Sequence, residues 1–130
     1  MEAGYIVICD RFFDSTLAYQ GYGRGLDVDM LKILNSFAIN DVFPDLTILL
    51  DLPTTVSLQR RNNTYGDRFE SKVTRLQSVG GDNFHEEVRK GFLELSNVDP
   101  SRWLVMDASV KKTEIADRIL QKVLGILINE

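Results

Sequence analysis

The stretch that organises the chain is Val7 to Gly25, which reads VICDRFFDSTLAYQGYGRG. An apolar run, Tyr5–Cys9, leads directly into the charged pair Asp10 and Arg11. A short continuous apolar run predicts a buried strand, and in open α/β sheets ligands bind beyond the carboxyl ends of the strands. We therefore expect Asp10 and Arg11 to lie where a ligand can reach them.

The charged pair favours an anionic ligand. Arg11 offers a planar fork of donors that fits a phosphate or a carboxylate. Asp10 would repel that anion unless it holds Arg11 in place or faces a metal ion, so it is also a candidate metal ligand. The alternative is a plain ion pair at the end of a strand, which is the usual role of such a pair when it stands alone.

Further motifs accompany the Asp10–Arg11 pair in this segment. The segment resembles the DR(Y/F), S-x-x-AYQG and RG(L/I) motifs of thymidylate kinases, which phosphorylate dTMP with ATP; the matching residues are Asp10–Phe12, Asp14–Thr16, Ala18–Gly21 and Gly23–Leu26. The resemblance implies a nucleoside monophosphate kinase of dTTP biosynthesis. It also implies a P-loop NTPase-like α/β fold of three layers with a mainly parallel sheet.

The resemblance assigns roles to individual residues. It implies that Arg11 binds the phosphate of dTMP, that Thr16 and Gln20 lie near the thymine, and that Tyr19 packs against the deoxyribose. An aromatic face and an amide edge suit a base on physical grounds as well. The candidate substrate-binding set is Asp10, Arg11, Ser15, Thr16, Tyr19 and Gln20.

Composition limits the alternatives. The chain has 130 residues, 44% of them hydrophobic, a net charge of −4 and a pI near 5.0. This predicts one globular domain over residues 1–130 and argues against a broad nucleic-acid surface, which would be basic. No apolar run has the length of a membrane span, and the first residues do not resemble a signal peptide, so we expect a cytoplasmic protein. The single cysteine, Cys9, is expected to be a small core residue.

Alternating elements follow along the chain. Asp27 or Asp29 can cap a helix whose apolar stripe, Met30 to Ala38, is either core or subunit interface. The family resemblance favours the interface, since thymidylate kinases are generally homodimers. Leu46–Leu52 predicts a strand covered on both faces.

Three further elements are predicted: a helix over Thr54–Arg61, a strand over Trp103–Asp107, and a core-forming helix over Lys112–Ile128.

Residues 62–83 are polar and predict a long surface loop. Gly66–Glu70 resembles the DR-x-E element in the LID of bacterial thymidylate kinases, so the resemblance implies that Arg68 is catalytic, with Arg60 or Arg61 assisting. A mobile arginine that arrives on closure stabilises the charge of a phosphoryl-transfer transition state. The loop is longer than expected for the family, so Arg75 competes with Arg68 for this role.

The nucleotide donor leaves a smaller signature. The DAS motif at Asp107–Ser109 matches the turn that lies near the adenine of ATP in the family, which makes Ser109 and Val110 cofactor-binding candidates. ATP and Mg²⁺ are the implied cofactors. The family's G-x-x-x-x-G-K-[ST] loop, which holds the phosphates of ATP, does not occur in these 130 residues.

Two hypotheses follow from the missing loop. In the first, the chain supplies the dTMP-binding and LID parts of a thymidylate kinase, lacks the first two strands of the fold, and is inactive without a complementing N-terminal part. In the second, it is a non-catalytic remnant or nucleotide-binding module. The family's first strand would lie between the Tyr5–Cys9 and Thr47–Asp51 strands, leaving a gap of roughly 10 Å. We predict that these strands either pair directly or are completed by another chain.

Overall fold

The computed structural model describes residues 4–40, 42–65 and 83–128, with residues 61–65 described by their backbone alone. Within these ranges the chain is helix-rich α/β. Its elements are α1 (Phe13–Thr16), a π-helix (Leu17–Gly23), α2 (Val28–Ile39), β1 (Thr47–Asp51), α3 (Thr54–Tyr65), α4 (Phe84–Val98), β2 (Trp103–Asp107) and α5 (Lys112–Ile128). None of the described helices combines the length and the apolar character needed to cross a membrane.

The two strands form a small parallel sheet. β1 pairs with β2 in the register from Thr47↔Trp103 to Asp51↔Asp107. Parallel neighbours require a crossover connection, and α3 and α4 lie within it. The sheet is incompletely covered, because Ile48, Leu50 and Val105 remain exposed. The prediction of a strand covered on both faces is therefore wrong for the part of the chain that the structure describes.

The predicted strand over Tyr5–Cys9 is not formed. This segment has no regular secondary structure, and Tyr5 and Ile8 are 76% and 92% exposed. A strand persists only where a neighbour takes up its backbone hydrogen bonds, and in the described residues β1 pairs with β2 alone. Direct pairing with Thr47–Asp51 is not observed. Cys9 is exposed, so its prediction as a core residue is also wrong.

The core forms where the π-helix packs against α4. Ala18 is fully buried beside Phe84 and Val88, and Phe92 and Leu95 extend this contact. The helices approach so closely that a Cβ atom on Gly91 would lie 2.6 Å from the ring of Tyr22. Glycine at that position is therefore a packing requirement.

Residues at both ends of α2 favour its boundaries. The Asp27 carboxylate accepts a hydrogen bond from the backbone N–H of Met30 at 2.9 Å, which confirms the predicted cap. Asn40 ends the helix in the left-handed conformation with φ 48°, which asparagine tolerates better than most residues. Most of the apolar stripe is exposed, with Phe37 at 83%. Leu31 is buried, but the rest of the stripe is not core, and the interface alternative remains a prediction.

Two further predictions need correction. α5 has the predicted bounds but contains no buried residue, so it is not core in the described structure. α3 continues to Tyr65, four residues past the predicted end at Arg61, so the loop predicted over 62–83 begins inside a helix. Residues 66–82, which make up most of the predicted LID, lie outside the described residues.

Candidate functional site

A cavity of about 240 Å³ opens beside the carboxyl half of β1. Leu49–Leu52 form one wall, and Tyr19 of the π-helix and Arg89 of α4 contribute to the others. His85 of α4 is half-buried and also lines this cavity. The structure thus brings one predicted substrate-binding residue, Tyr19, to the end of the sheet where ligands of α/β proteins bind.

Arg11 lies on Tyr19. Its Nη2 donates a hydrogen bond to the Tyr19 hydroxyl at 2.9 Å, and its Cζ lies 4.8 Å from the centre of the ring. The second distance is that of a cation–π contact. Both residues come from the stretch singled out in the sequence, and their side chains meet although Arg11 does not follow a strand.

The backbone at Arg11 is unusual. Its φ is 65°, in the left-handed region that non-glycine residues seldom occupy. Such strain clusters at binding sites and turns, where surrounding contacts hold it. Asp10, beside it, is exposed, and no group of three or more potential metal ligands forms among the described residues.

The remaining residues predicted to bind dTMP lie close to Tyr19 in the chain. Ser15 and Thr16 end α1, and Gln20 lies in the π-helix one residue after Tyr19; all three are half-buried. The helix that contains Gln20 continues through Gly21 to Gly23 in the wider π form, a form that frequently marks functional sites.

A buried ion pair anchors this segment, and sequence reasoning missed it. Arg102 donates two hydrogen bonds to the carboxylate of Asp14, at 2.8 and 2.9 Å, and a third to the Thr47 hydroxyl at 2.6 Å. It also pairs with Asp99 at 3.3 Å. Asp14 and Arg102 are 88 positions apart, so no local spacing could have revealed the pair.

The same arginine is stacked as well as hydrogen-bonded. The Arg102 guanidinium lies 5.4 Å from the ring centre of Phe13 and 5.1 Å from that of Trp103. The start of α1 is thus fixed to the first residues of both strands, while Tyr19 reaches the cavity further along the sheet.

A second ion pair borders the cavity. Arg89 donates from Nε and Nη2 to the two carboxylate oxygens of Asp51, at 2.7 and 2.9 Å. These hydrogen bonds, followed by the positive charge of Arg89, hold the pKa of Asp51 below its ordinary value of 3.8. Asp51 is therefore a paired carboxylate in the described structure.

Because of the Asp51–Arg89 pair, we expect the free energy of unfolding to depend on pH in the acid range. A carboxylate whose pKa is lowered by folding stabilises the fold above its ordinary pKa, and that contribution is lost as pH falls below 3.8 through the lowered value. We expect Asp51→Asn to lower the free energy of unfolding at pH 7 by roughly 1.5 kcal/mol, and the difference from the unmodified chain to shrink below pH 3.8. Urea unfolding at a series of pH values measures it, with the exposed Asp45→Asn as control. A difference that is independent of pH would contradict the assignment.

The candidate ATP-binding residues, Ser109 and Val110, follow β2. Arg60 of α3 donates from Nη1 to the Ala108 carbonyl at 2.9 Å, and the Ser109 N–H donates to the Asp107 carboxylate at 2.8 Å. Arg60 therefore contacts the turn that carries Ser109 and Val110. The side chain of Arg61 and all of Arg68 and Arg75 lie outside what the structure describes.

Comparison with known proteins identifies the class. A thymidylate kinase family model matches residues 1–119. Thymidylate kinases from Dehalococcoides mccartyi and Desulfovibrio desulfuricans are 46% identical over 127 residues and 47% identical over 117 residues. A crystal structure of thymidylate kinase from Ehrlichia chaffeensis matches with a TM-score of 0.54 and 35% identity, covering 78% of this chain and 42% of that one. These matches define a class of kinases, which are transferases. Within that class, the chain belongs to the thymidylate kinase family.

The alignments cover most of this chain but a much smaller share of each relative. The alignments cover 98% and 84% of this chain but 57% and 50% of the two relatives. The chain therefore spans little more than half the length of the curated relatives it matches.

Proposed function

We propose that this chain provides the acceptor-binding and LID parts of a thymidylate kinase, which transfers the γ-phosphoryl group of ATP to dTMP and forms ADP and dTDP for dTTP biosynthesis. The observation that carries the proposal is the contact of Arg11 with Tyr19, a residue that lines the cavity beside β1, in a chain of this family. Cytoplasmic location is part of the same proposal, because it follows from that metabolic role.

The acceptor site is built around Arg11. Its guanidinium is exposed and has N–H groups left over after its bond to Tyr19, so it can grip a phosphate in the bidentate manner typical of arginine. Thr16 and Gln20 supply polar edges for thymine, and Ser15 lies beside them. The Tyr19 ring is proposed to pack against the deoxyribose, where an added 2′-hydroxyl would crowd it.

The proposed ATP site has fewer candidate residues than the proposed dTMP site. Ser109 and Val110 are proposed to border the adenine, with Arg60 close by through its bond to Ala108. No cluster of ligands for magnesium occurs in the described ranges, so Mg²⁺ would be held mainly by phosphate oxygens and water, as is usual for this ion. Asp10 is the candidate protein ligand.

An additional segment is proposed to complete the sheet. Tyr5–Cys9 is apolar and exposed, and Ile48 and Leu50 of β1 are uncovered. An N-terminal part carrying the phosphate-binding loop and the first strands of the fold would cover these groups and supply the contacts to ATP. Such an arrangement would account for the exposed apolar side chains on and beside the sheet.

An activity assay tests the proposal. ADP release is measured with ATP, Mg²⁺ and dTMP, first for the 130-residue chain and then for a fusion that places the N-terminal part of the Dehalococcoides mccartyi relative before it. We expect no turnover from the chain alone and turnover from the fusion. Turnover by the chain alone would contradict the requirement for a phosphate-binding loop.

The acceptor site is tested by replacing Arg11. Arg11→Ala is expected to weaken dTMP binding by roughly 1.5 to 3 kcal/mol, the range for a hydrogen bond to a charged group. Isothermal titration calorimetry measures the affinity, and Arg118→Ala on α5 serves as the control because it removes an exposed arginine elsewhere. Equal affinities for the Arg11 variant and the control would exclude Arg11 from the site.

The exposed stripe of α2 is proposed to be a homodimer interface. Met30, Ile33, Leu34 and Phe37 are all more than half exposed, and contiguous apolar surface of this kind marks interaction sites. Phe37→Glu is expected to shift the chain from dimer to monomer in analytical ultracentrifugation. Leu120→Glu, which alters an exposed leucine on α5, should leave the dimer intact. An unmodified chain that sediments as a monomer would refute the interface.

A non-catalytic nucleotide-binding module is the second candidate. The observation that favours it is the lack of the G-x-x-x-x-G-K-[ST] motif in the 130 residues. The two candidates differ in the fusion experiment, because a module would bind dTMP but give no turnover after the phosphate-binding loop is supplied.

A further inference from the structure

Within the ranges that the structure describes, the observed partner of the Arg11 guanidinium is Tyr19. Arg11 is exposed, and the residues on either side of it, from Gly4 to Phe12, form neither helix nor strand. Its side chain donates a hydrogen bond to the Tyr19 hydroxyl at 2.9 Å, and its Cζ lies 4.8 Å from the centre of the Tyr19 ring. A long charged side chain on irregular backbone would otherwise sample many rotamers.

Tyr19, in contrast, is firmly seated. It lies within the π-helix, and its ring packs edge-on against Phe84 and Phe92 of α4, with centroid distances of 6.1 and 6.2 Å. Phe84 belongs to the buried core. The ring is therefore fixed to the best-packed part of the described structure, and its hydroxyl projects toward Arg11.

We propose that Tyr19 is a positioning residue for Arg11: it transmits the rigidity of the α4 core to the guanidinium that receives the acceptor's phosphate. This inference rests on the proposed function and extends it, because it gives the Tyr19 hydroxyl a role separate from the packing of its ring against a deoxyribose. The hydroxyl accepts one N–H of Arg11 and thereby sets the plane of the fork, so that the remaining N–H groups face the ligand already ordered. Preorganisation of this kind improves affinity by reducing the entropy lost on binding.

If Tyr19 positions Arg11, loss of the Tyr19 hydroxyl should weaken binding only of ligands that carry a phosphate. Tyr19→Phe keeps the aromatic ring and its packing but removes the acceptor oxygen. It is expected to weaken binding of dTMP about tenfold, the effect of losing one hydrogen bond to a charged group, and to leave binding of thymidine, which lacks the phosphate, nearly unchanged. Calorimetric titration of the 130-residue chain with both ligands gives the two affinities.

The contact between Arg11 and Tyr19 can also be tested without ligand, through the mobility of the Arg11 side chain. The ¹⁵N relaxation of the Arg11 Nε–H group should show an ordered side chain in the unmodified protein and a mobile one in Tyr19→Phe and Tyr19→Leu. Tyr5→Phe, which removes a hydroxyl from an exposed tyrosine, is the matched control and should change neither relaxation nor affinity. Fluorescence of Trp103, the single tryptophan, verifies that each variant retains the fold.

The outcomes separate the two levels of the proposal. Equal order of Arg11 in all variants, or an equal loss of affinity for dTMP and thymidine in Tyr19→Phe, would overturn the positioning role and leave the acceptor site in place. An unmodified chain that binds neither ligand would overturn the proposed acceptor site, and with it the purpose of the pairing.

Discussion

Replacing Asp14 by alanine is expected to destabilise the chain by about 3 kcal/mol, the low end of the range for breaking a buried ion pair. The Asp14 side chain is 7% exposed and that of Arg102 is 14% exposed, and the two make a bidentate pair. Removing the carboxylate leaves the Arg102 charge buried with only the longer contact to Asp99 as an ionic partner. We expect the low end of the range because Asp99 and the Thr47 hydroxyl still accept from the guanidinium.

Urea unfolding followed by Trp103 fluorescence measures this effect, since the indole ring lies 5.1 Å from the Arg102 guanidinium. Asp14→Asn, which keeps one acceptor, should give an intermediate loss. Lys90→Gln removes an exposed partner of Glu94 at 4.0 Å and should change the free energy of unfolding by less than about 0.5 kcal/mol. If Asp14→Ala and Lys90→Gln had the same small effect, the Arg102 pair would not anchor α1.

The elements with strong local signals were predicted well from the sequence. β2 and α5 have the predicted bounds, and Asp27 caps α2 as its spacing indicates. These features depend on residues within one or two helical turns or strand spacings of each other, so the pattern alone contains the necessary information. The family resemblance was confirmed as well.

Features that depend on distant partners were predicted poorly. Tyr5–Cys9 has the composition of a strand, but a strand needs a neighbour, and the described residues offer it none. The α5 periodicity fixed a helix without specifying what covers its apolar side. The π-helix Leu17–Gly23 packs on α4, where Gly91 admits the ring of Tyr22, and this contact joins residues far apart in sequence.

The candidate site shows the same division. Arg11 and Tyr19 are eight residues apart, and the sequence named both as acceptor-binding candidates, but it gave no reason to expect their direct contact. The Asp51–Arg89 and Asp14–Arg102 pairs span 38 and 88 positions. Charged residues near strand ends are common, so only the fold could select which of them meet.

In the fusion enzyme described above, Arg68→Ala is expected to lower kcat by roughly a thousandfold, the low end of the effect of an arginine that contacts the transferring phosphoryl group. The resemblance of Gly66–Glu70 to the LID motif motivates this residue. Because such an arginine engages charge that develops in the transition state, KM for dTMP should change little. Arg60, whose guanidinium already donates to the Ala108 carbonyl, should show a smaller loss on replacement.

Steady-state kinetics of the fusion, with ADP release as the readout, distinguish the LID arginines. Arg68→Ala, Arg75→Ala, Arg60→Ala and Arg61→Ala are compared with Arg118→Ala, which lies on α5 and should retain full activity. A thousandfold loss in Arg75→Ala with a normal Arg68→Ala would transfer the catalytic role to Arg75. If no LID variant lowered kcat more than the Arg118→Ala control, the transition-state charge would have to be stabilised by the N-terminal part alone.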